Sequence, residues 1–289
     1  MPPFESILWR LNQFLGLDAS TLGFRSIRQA VDRRKRVLGV ETDFDYAGLL
    51  TWPDGEVLEL VEEVVVLESW FFRHPYAFDC LVSLVKQIVA TQAPGERVRI
   101  LSLPCCRGEE PYSIAMALLD AGVDSEFFLV EARDVSRRAL EMAALGHYPS
   151  SAFREERSVL ARRYFEPMDD GELYRIGSEV RNCVRFEHEN IVEADAILQM
   201  SRYHIIFCRN LMIYLDRKHH DQVVDRLTKM LLPEGTIFLG AGESRSFMEQ
   251  GFVRTGVKGS FAIQRSGACR LDMEGSAMRE GVDYTEREI

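Results

Sequence analysis

From Leu101 to Met116 the chain reads Leu-Ser-Leu-Pro-Cys-Cys-Arg-Gly-Glu-Glu-Pro-Tyr-Ser-Ile-Ala-Met, a short apolar strand joined to a helix through a turn at Gly108. Sheet proteins bind cofactors on such elbows, beyond the C-terminal end of the strand. The dinucleotide fingerprint needs three glycines in the turn, and only Gly108 lies between this strand and helix, which disfavours a nicotinamide or flavin. Glu109 and Glu110 suit the positive end of the helix dipole but would repel a pyrophosphate. A positively charged or zwitterionic ligand fits them better.

Three more segments hold residue types capable of chemistry: Glu68-Ser-Trp-Phe-Phe-Arg-His-Pro75, Phe207-Cys-Arg-Asn-Leu-Met-Ile-Tyr-Leu-Asp216 and Leu232-Pro-Glu-Gly-Thr-Ile-Phe-Leu-Gly-Ala-Gly-Glu-Ser244. With the elbow, and in this order, they resemble the motifs of the chemoreceptor glutamate methyltransferases, the CheR family, over most of the chain. Within that family the chain looks most like the Wsp-type surface-sensing branch. The resemblance implies S-adenosylmethionine as cofactor and S-adenosylhomocysteine as product. It also implies methyl esterification of glutamate side chains on the cytoplasmic helices of a methyl-accepting chemoreceptor, tuning adaptation in a chemotaxis-like pathway.

Such a transfer requires no general base, because a glutamate with a pKa of about 4.3 is already ionised at neutral pH. The site has to align the reacting atoms, exclude water and manage charge. By resemblance Arg73 contacts the cofactor and steers the incoming carboxylate, and Tyr214 approaches the methyl group; these two are the catalytic candidates. Ser69 takes a small polar position, Gly108 forms the turn, and Glu109 complements the positive charge of the cofactor. Asp134, placed after the second strand, accepts hydrogen bonds from the ribose hydroxyls, with Glu131 as its competitor. Asn190 and Ile191 match an Asn-Leu pair near the adenine, and Arg209 and Asn210 follow the apolar strand that ends at Cys208. Without the resemblance, Glu109 reads as a helix-terminal acid, Asn190 as a turn residue, Tyr214 as a packed ring and Arg73 as half of a surface ion pair. The family commonly has Ser and Thr where this chain has Cys106 and Arg107. That departure bears on cofactor affinity, with the cofactor carboxylate or Glu110 as the partner of Arg107.

The substrate side is expected on the helical segment from about Ser20 to Leu38. It carries Arg25, Arg28, Arg33, Arg34, Lys35 and Arg36 against one acid, Asp32. On a helical projection Arg25, Arg28, Lys35 and Arg36 cluster opposite Phe24, Ile27 and Val31, so one face is apolar and the other basic. A solvated face or an RNA-binding patch would share this pattern. The resemblance assigns the basic face, with Arg33, to docking on acidic receptor helices. Some relatives grip a receptor tether with a glycine-rich loop in a small β-subdomain. The matching run Tyr164 to Ile176 is acidic and holds one glycine, which favours action without a tether.

These residues must be carried by a two-part architecture. Residues 1 to 92 show helical periodicity and are expected to form an all-helical, substrate-docking domain. From 93 to 265 strand-like runs alternate with helices, so an α/β domain is expected, a Rossmann-like doubly wound parallel sheet of the S-adenosylmethionine-dependent methyltransferase type. Residues 266 to 289 are expected to be a flexible tail. The net charge of −10 over 289 residues argues against nucleic acid as a partner, and no apolar run reaches the ~18 residues of a membrane span. A cytoplasmic monomer is expected. Six cysteines lack metal-ligand spacing and read as reduced thiols, so no metal site is expected. The rival readings are a methyltransferase acting on RNA or a small molecule, whose Asn/Asp-Pro-Pro-aromatic motif is absent, and a catalytically silent cofactor-binding scaffold.

Overall fold

The computed structural model describes residues 1–50, 55–193 and 202–267; the expected tail lies almost wholly outside these. The elements run α1 (Pro3–Leu15), α2 (Ala19–Leu22), α3 (Phe24–Leu38), α4 (Asp43–Leu49), α5 (Glu56–Val64), α6 (Pro75–Thr91), β1 (Val98–Ser102), α7 (Glu109–Asp120), β2 (Phe128–Asp134) and α8 (Arg137–Leu145). After these come β3 (His147–Pro149), α9 (Glu156–Leu160), β4 (Phe165–Met168), β5 (Leu173–Ile176), α10 (Ser178–Arg181) and β6 (Val184–His188). The described chain then continues through β7 (Tyr203–Cys208), α11 (Arg217–Met230), β8 (Leu231–Leu239), α12 (Arg245–Glu249), β9 (Phe252–Arg254) and β10 (Ala262–Arg265).

Seven strands form the main sheet in the order β6-β2-β1-β7-β8-β10-β9. The first five are parallel neighbours, and β10 runs antiparallel between β8 and β9. From β1 the chain winds outward through β2 to β6, then returns to the other side of β1 as β7. A crevice opens beyond the strand ends at such a reversal, and Leu103, Pro104, Cys106 and Glu110 of the elbow line it. The parallel strands are buried on both faces, as Ile100, Leu101, Ile205, Ile206 and Phe207 show, which explains their continuous apolar runs.

Three features depart from the sequence expectation, the first being that the sheet is mixed, because β10 pairs antiparallel with β8 and β9 instead of extending the parallel order. The segment from Ser20 to Leu38 is not one helix, because it breaks at Gly23 into α2 and α3. The helical domain also ends before residue 92. Phe78, Leu81, Leu84 and Val85 of α6 pack in the same core as Ile100, Tyr112, Phe207 and Phe238, whereas Ile7, Leu11, Ile27, Val31, Tyr46 and Leu60 form a separate core in α1 to α5. Thus α6 is a layer of the α/β domain, and the divide falls between Val64 and Pro75.

A second sheet, β3-β5-β4, is antiparallel and inserted between α8 and α10. Its rings receive Phe71, whose ring centroid lies 4.8 Å from Tyr148 and 5.1 Å from both Phe153 and Phe165. Burying such a side chain is worth about 2 to 3 kcal/mol, enough to anchor the loop that carries Arg73.

Candidate active site

The crevice at the β1/β7 reversal has two adjoining lobes that share Val66, Pro104, Cys106, Asn210 and Tyr214. The first lobe is lined by Leu103, Asp134, Val135, Glu189, Asn190 and Ile191 from the sheet domain, and by Leu15, Leu17 and Leu22 from the helical domain. The second is lined by Ser69, Trp70, Arg73, Glu110, Arg209 and Ile213. The structure therefore brings Ser69, Arg73, Asp134, Asn190, Ile191, Arg209, Asn210 and Tyr214 around one cavity.

Three loops build it, each with a residue held at positive φ. In the elbow, Cys106 (φ 49°) donates its backbone N–H to Asp134 Oδ2 at 2.8 Å. Gly108 has φ 92°, and a Cβ there would stand 2.9 Å from Tyr148 Oη and 3.0 Å from Ala143 Cβ, so a side chain is excluded on two counts. In the loop before α6, Phe72 (φ 58°) and His74 (φ 61°) flank Arg73. Phe72 N donates to Ser113 Oγ at 2.9 Å, and Ser113 Oγ donates to Glu109 O at 2.6 Å, tying this loop to the start of α7. After β7, Asn210 (φ 59°) donates its N–H to Glu243 Oε2 at 2.9 Å, and Gly240 N donates to the same oxygen at 2.6 Å. Residues in sparsely populated backbone regions persist where their surroundings over-determine them, as these hydrogen bonds do.

Asp134 is the last residue of β2, not a loop residue beyond it, and is 3% exposed. Its oxygens accept from Cys106 N and from Ser136 N (2.9 Å), leaving further lone pairs for hydroxyl donors. Burial pushes its pKa up to about 6, against the pull of the Ser136 and Cys106 N–H groups. Its competitor Glu131 is absent from the crevice lining. It accepts from Arg99 Nη2 at 2.6 Å, from Arg133 Nη2 at 3.2 Å and from the Tyr203 hydroxyl, because the residues of β2 point alternately to opposite faces.

The two elbow glutamates divide in a way the sequence left open. Glu110 lines the second lobe, accepting from Ser102 Oγ at 2.8 Å and from Arg209 Nη1 at 3.1 Å. Glu109 is not among the lining residues. It is 1% exposed, lies 3.3 Å from Arg107 Nη2, and both its carboxylate oxygens lack a hydrogen-bond partner. Burial raises both pKa values, opposed by Arg107 at Glu109 and by Arg209 at Glu110. Arg107 thus pairs with Glu109, not with Glu110.

Arg209 is 5% exposed; burial lowers its pKa, and Glu110 opposes the shift. Its Nη2 donates to Arg73 O at 2.8 Å, so it bridges α7 to the Arg73 loop. Arg73 itself has no carboxylate partner among the described residues. It donates to Glu68 O at 3.3 Å, stands 4.4 Å over the Trp70 ring, and its Nε is buried without a partner. Beside it, His74 has its pKa pushed down to about 4 by burial and by Arg209 and Arg73. Asn190 donates from Nδ2 to Phe14 O at 2.6 Å and accepts at Oδ1 from Val192 N at 3.1 Å. Tyr214 lines both lobes, and its carbonyl accepts from Asp18 N at 2.8 Å.

Glu189, which lines the crevice, and Glu243, which supports it, were missed from the sequence, whereas Glu110 was noted there at the helix start without a role in the site. Glu189 lines the first lobe with one oxygen held by Arg133 and the other unpartnered. Glu243 lay within a recognised motif, and the run Gly240-Ala-Gly-Glu243 was the signal available; the structure shows why, since a Cβ on Gly240 would stand 2.4 Å from Glu243 Oε2.

The helical domain corrects the expected basic face. Arg28 and Lys35 contact Asp43 of α4 at 2.5 and 2.9 Å, Arg33 contacts Glu63 of α5 at 2.7 Å, and Arg34 forms two hydrogen bonds to Glu56. These cations are spent inside the domain, because α4 and α5 bring acids against α3. Phe24 is 55% exposed and does not join Ile27 and Val31 in the core. Arg25 and Arg36 are the exposed basic residues of α3 without an acidic side-chain partner among the described residues. None of the six basic residues lines the crevice.

Residues 68–258 match the family described as CheR methyltransferase, SAM binding domain. The chain is 38% identical over 271 residues to a probable biofilm formation methyltransferase WspC of Pseudomonas aeruginosa, covering 94% of this chain and 64% of that protein. A protein of the same description from Pseudomonas putida is 35% identical over 255 residues, covering 88% of this chain and 60% of that protein. Chemotaxis protein methyltransferase 2 of Vibrio cholerae is 33% identical over 195 residues, covering 66% of this chain and 67% of that protein. The chain therefore spans under two thirds of the length of the two Pseudomonas relatives.

Proposed function

Because the chain belongs to the CheR methyltransferase family, we propose that it methylates glutamate side chains on the cytoplasmic helices of a methyl-accepting chemoreceptor, in a chemotaxis-like pathway of the surface-sensing kind. The observation that carries this reading is Arg73: a half-buried guanidinium in a cofactor crevice, without a carboxylate partner among the described residues and with an unpartnered Nε. An anion-binding group in that state suits an incoming carboxylate.

S-adenosylmethionine, when bound, supplies an electrophilic methyl group on a sulfonium sulfur. The residues present fit it. Asp134 offers free lone pairs to the ribose hydroxyls, and Asn190 and Ile191 flank the adenine side of the first lobe together with Leu103 and Val135. Glu109, ion-paired with Arg107 and outside both lobes, supports the elbow from behind instead of meeting the cofactor directly. Glu110 and Arg209 hold each other, so neither competes for the substrate. Arg73 holds the substrate carboxylate, Tyr214 closes the junction between the lobes, and Leu15, Leu17 and Leu22 keep water out. No base is required at a carboxylate. Of the basic residues of α3, Arg25 and Arg36, exposed and without an acidic side-chain partner among the described residues, would meet acidic receptor helices. Incubation with tritiated S-adenosylmethionine and receptor-enriched membranes is expected to give base-labile label on the receptor. Label on RNA, or none, would refute the reading.

A further inference from the structure

Arg73 is held by few contacts of its own, yet a group that steers a substrate must have a defined direction. Its principal neighbour is Trp70. The Arg73 guanidinium carbon lies 4.4 Å from the centroid of the Trp70 ring, and the Arg154 guanidinium carbon lies 4.8 Å from it. Trp70 Nε1 donates to Glu155 Oε1 at 3.2 Å. Glu68 joins from both sides, its carbonyl accepting from Arg73 and its Oε1 lying 3.5 Å from Arg154 Nη1. Two cations drawn to one ring and an indole N–H fixed by a carboxylate leave the ring little freedom. The same loop is pinned underneath by Phe71 N donating to Ala152 O at 3.0 Å.

We infer that Trp70 is a positioning residue for Arg73: its indole, oriented by Glu155 and shared with Arg154, sets the direction of the Arg73 guanidinium at the crevice, an assignment that rests on the proposed role of Arg73 in substrate capture. The clamp couples the reacting centre to Arg154 and Glu155 in the insertion between β3 and β4. Hydrogen bonding to the ring edge and cation attraction to its face are separable, because phenylalanine retains the face and lacks the N–H.

The test uses the whole chain and a receptor fragment. Trp70→Leu is expected to lower kcat about tenfold, the range that cation attraction to an aromatic face allows, and to raise the KM for S-adenosylmethionine by a smaller factor. Trp70→Phe should retain at least about half of the wild-type kcat, for the same reason. In an Arg73→Ala background, Trp70→Leu should cause no further loss. Relaxation of the Arg73 15Nε signal, assigned through its disappearance in Arg73→Lys, should show an ordered side chain in the wild type and a mobile one in Trp70→Leu. Unchanged order in Trp70→Leu, or losses that multiply in the double variant, would overturn the inference. If the wild type methylates no receptor fragment, the proposed function fails while the relaxation measurement still decides the clamp. A melting temperature for each variant separates a loss of orientation from a loss of fold.

Discussion

Asp134 gives the crevice a pH signature. Its carboxyl is raised by burial to about 6, whereas an exposed aspartate titrates near 3.9. The folded chain therefore holds an extra proton between these values, and stability falls as pH rises through that window, by about 3 kcal/mol in total. Ribose hydroxyls donating to the ionised carboxylate favour the opposite, so affinity for S-adenosylhomocysteine is expected to strengthen as pH rises toward 7 and to weaken roughly tenfold per unit below 6. Calorimetry at pH 5, 6 and 7 checks this, and Asp134→Ala should abolish the dependence and weaken binding by about 1.5 to 3 kcal/mol. At the reacting centre, Arg73→Ala and Tyr214→Phe are expected to lower kcat more than they raise the KM for cofactor, which steady-state kinetics on a receptor fragment would read. At this scale the sequence was informative about which residues gather and less so about how they face. Neighbouring residues on a helix point about 100° apart, so Glu109 and Glu110 face different surroundings, and nothing in their spacing says which one lines the cavity.

The parallel core strands were legible because their apolar runs are continuous, and the elbow because strand, glycine and acidic helix start adjoin. The strands β3, β4 and β5 were not, since three or four residues are too few to display alternation. The allegiance of α6 was hidden for a different reason: an apolar stripe tells that a helix is buried, not against what. Junctions between elements carry their own predictions. Glu62 of α5 accepts from Ser136 Oγ at 2.5 Å, Arg137 N at 2.7 Å and Arg138 N at 3.3 Å, capping α8 across the domain divide. Glu62→Ala should therefore cost about 1 to 2 kcal/mol, seen as a lower midpoint in urea. Gly240→Ala is expected to displace Glu243 and loosen the Asn210 turn, reducing cofactor affinity with little change in secondary structure by circular dichroism.

Across the whole molecule, charge is arranged more sparingly than a count along α3 suggests. Arg28 lies against Asp43 and also stands 3.4 Å over the Phe4 ring, so reversing it to Glu would set two acids together and lower the melting temperature. Reversing Arg25 and Arg36 should leave stability nearly unchanged and reduce receptor methylation, with wild-type activity falling as salt rises past about 0.1 M. Methylation by the wild type and the Arg25/Arg36 double variant at two salt concentrations is the measurement, with full activity in the variant assigning those residues to a merely solvated face. The helical domain also does more than present charge. Leu17 bridges to Leu215, Asp216 N donates to Gly16 O at 2.9 Å, Asn12 Nδ2 donates to Asp216 Oδ2 at 2.6 Å, and Glu62 holds the far side at α8. These attachments flank a cavity that the same domain helps to line. Occupancy of the cavity and adhesion of the helical domain thus share one free energy, and by linkage a receptor that loosens the joint must weaken cofactor affinity by the same factor by which cofactor weakens the loosened receptor complex.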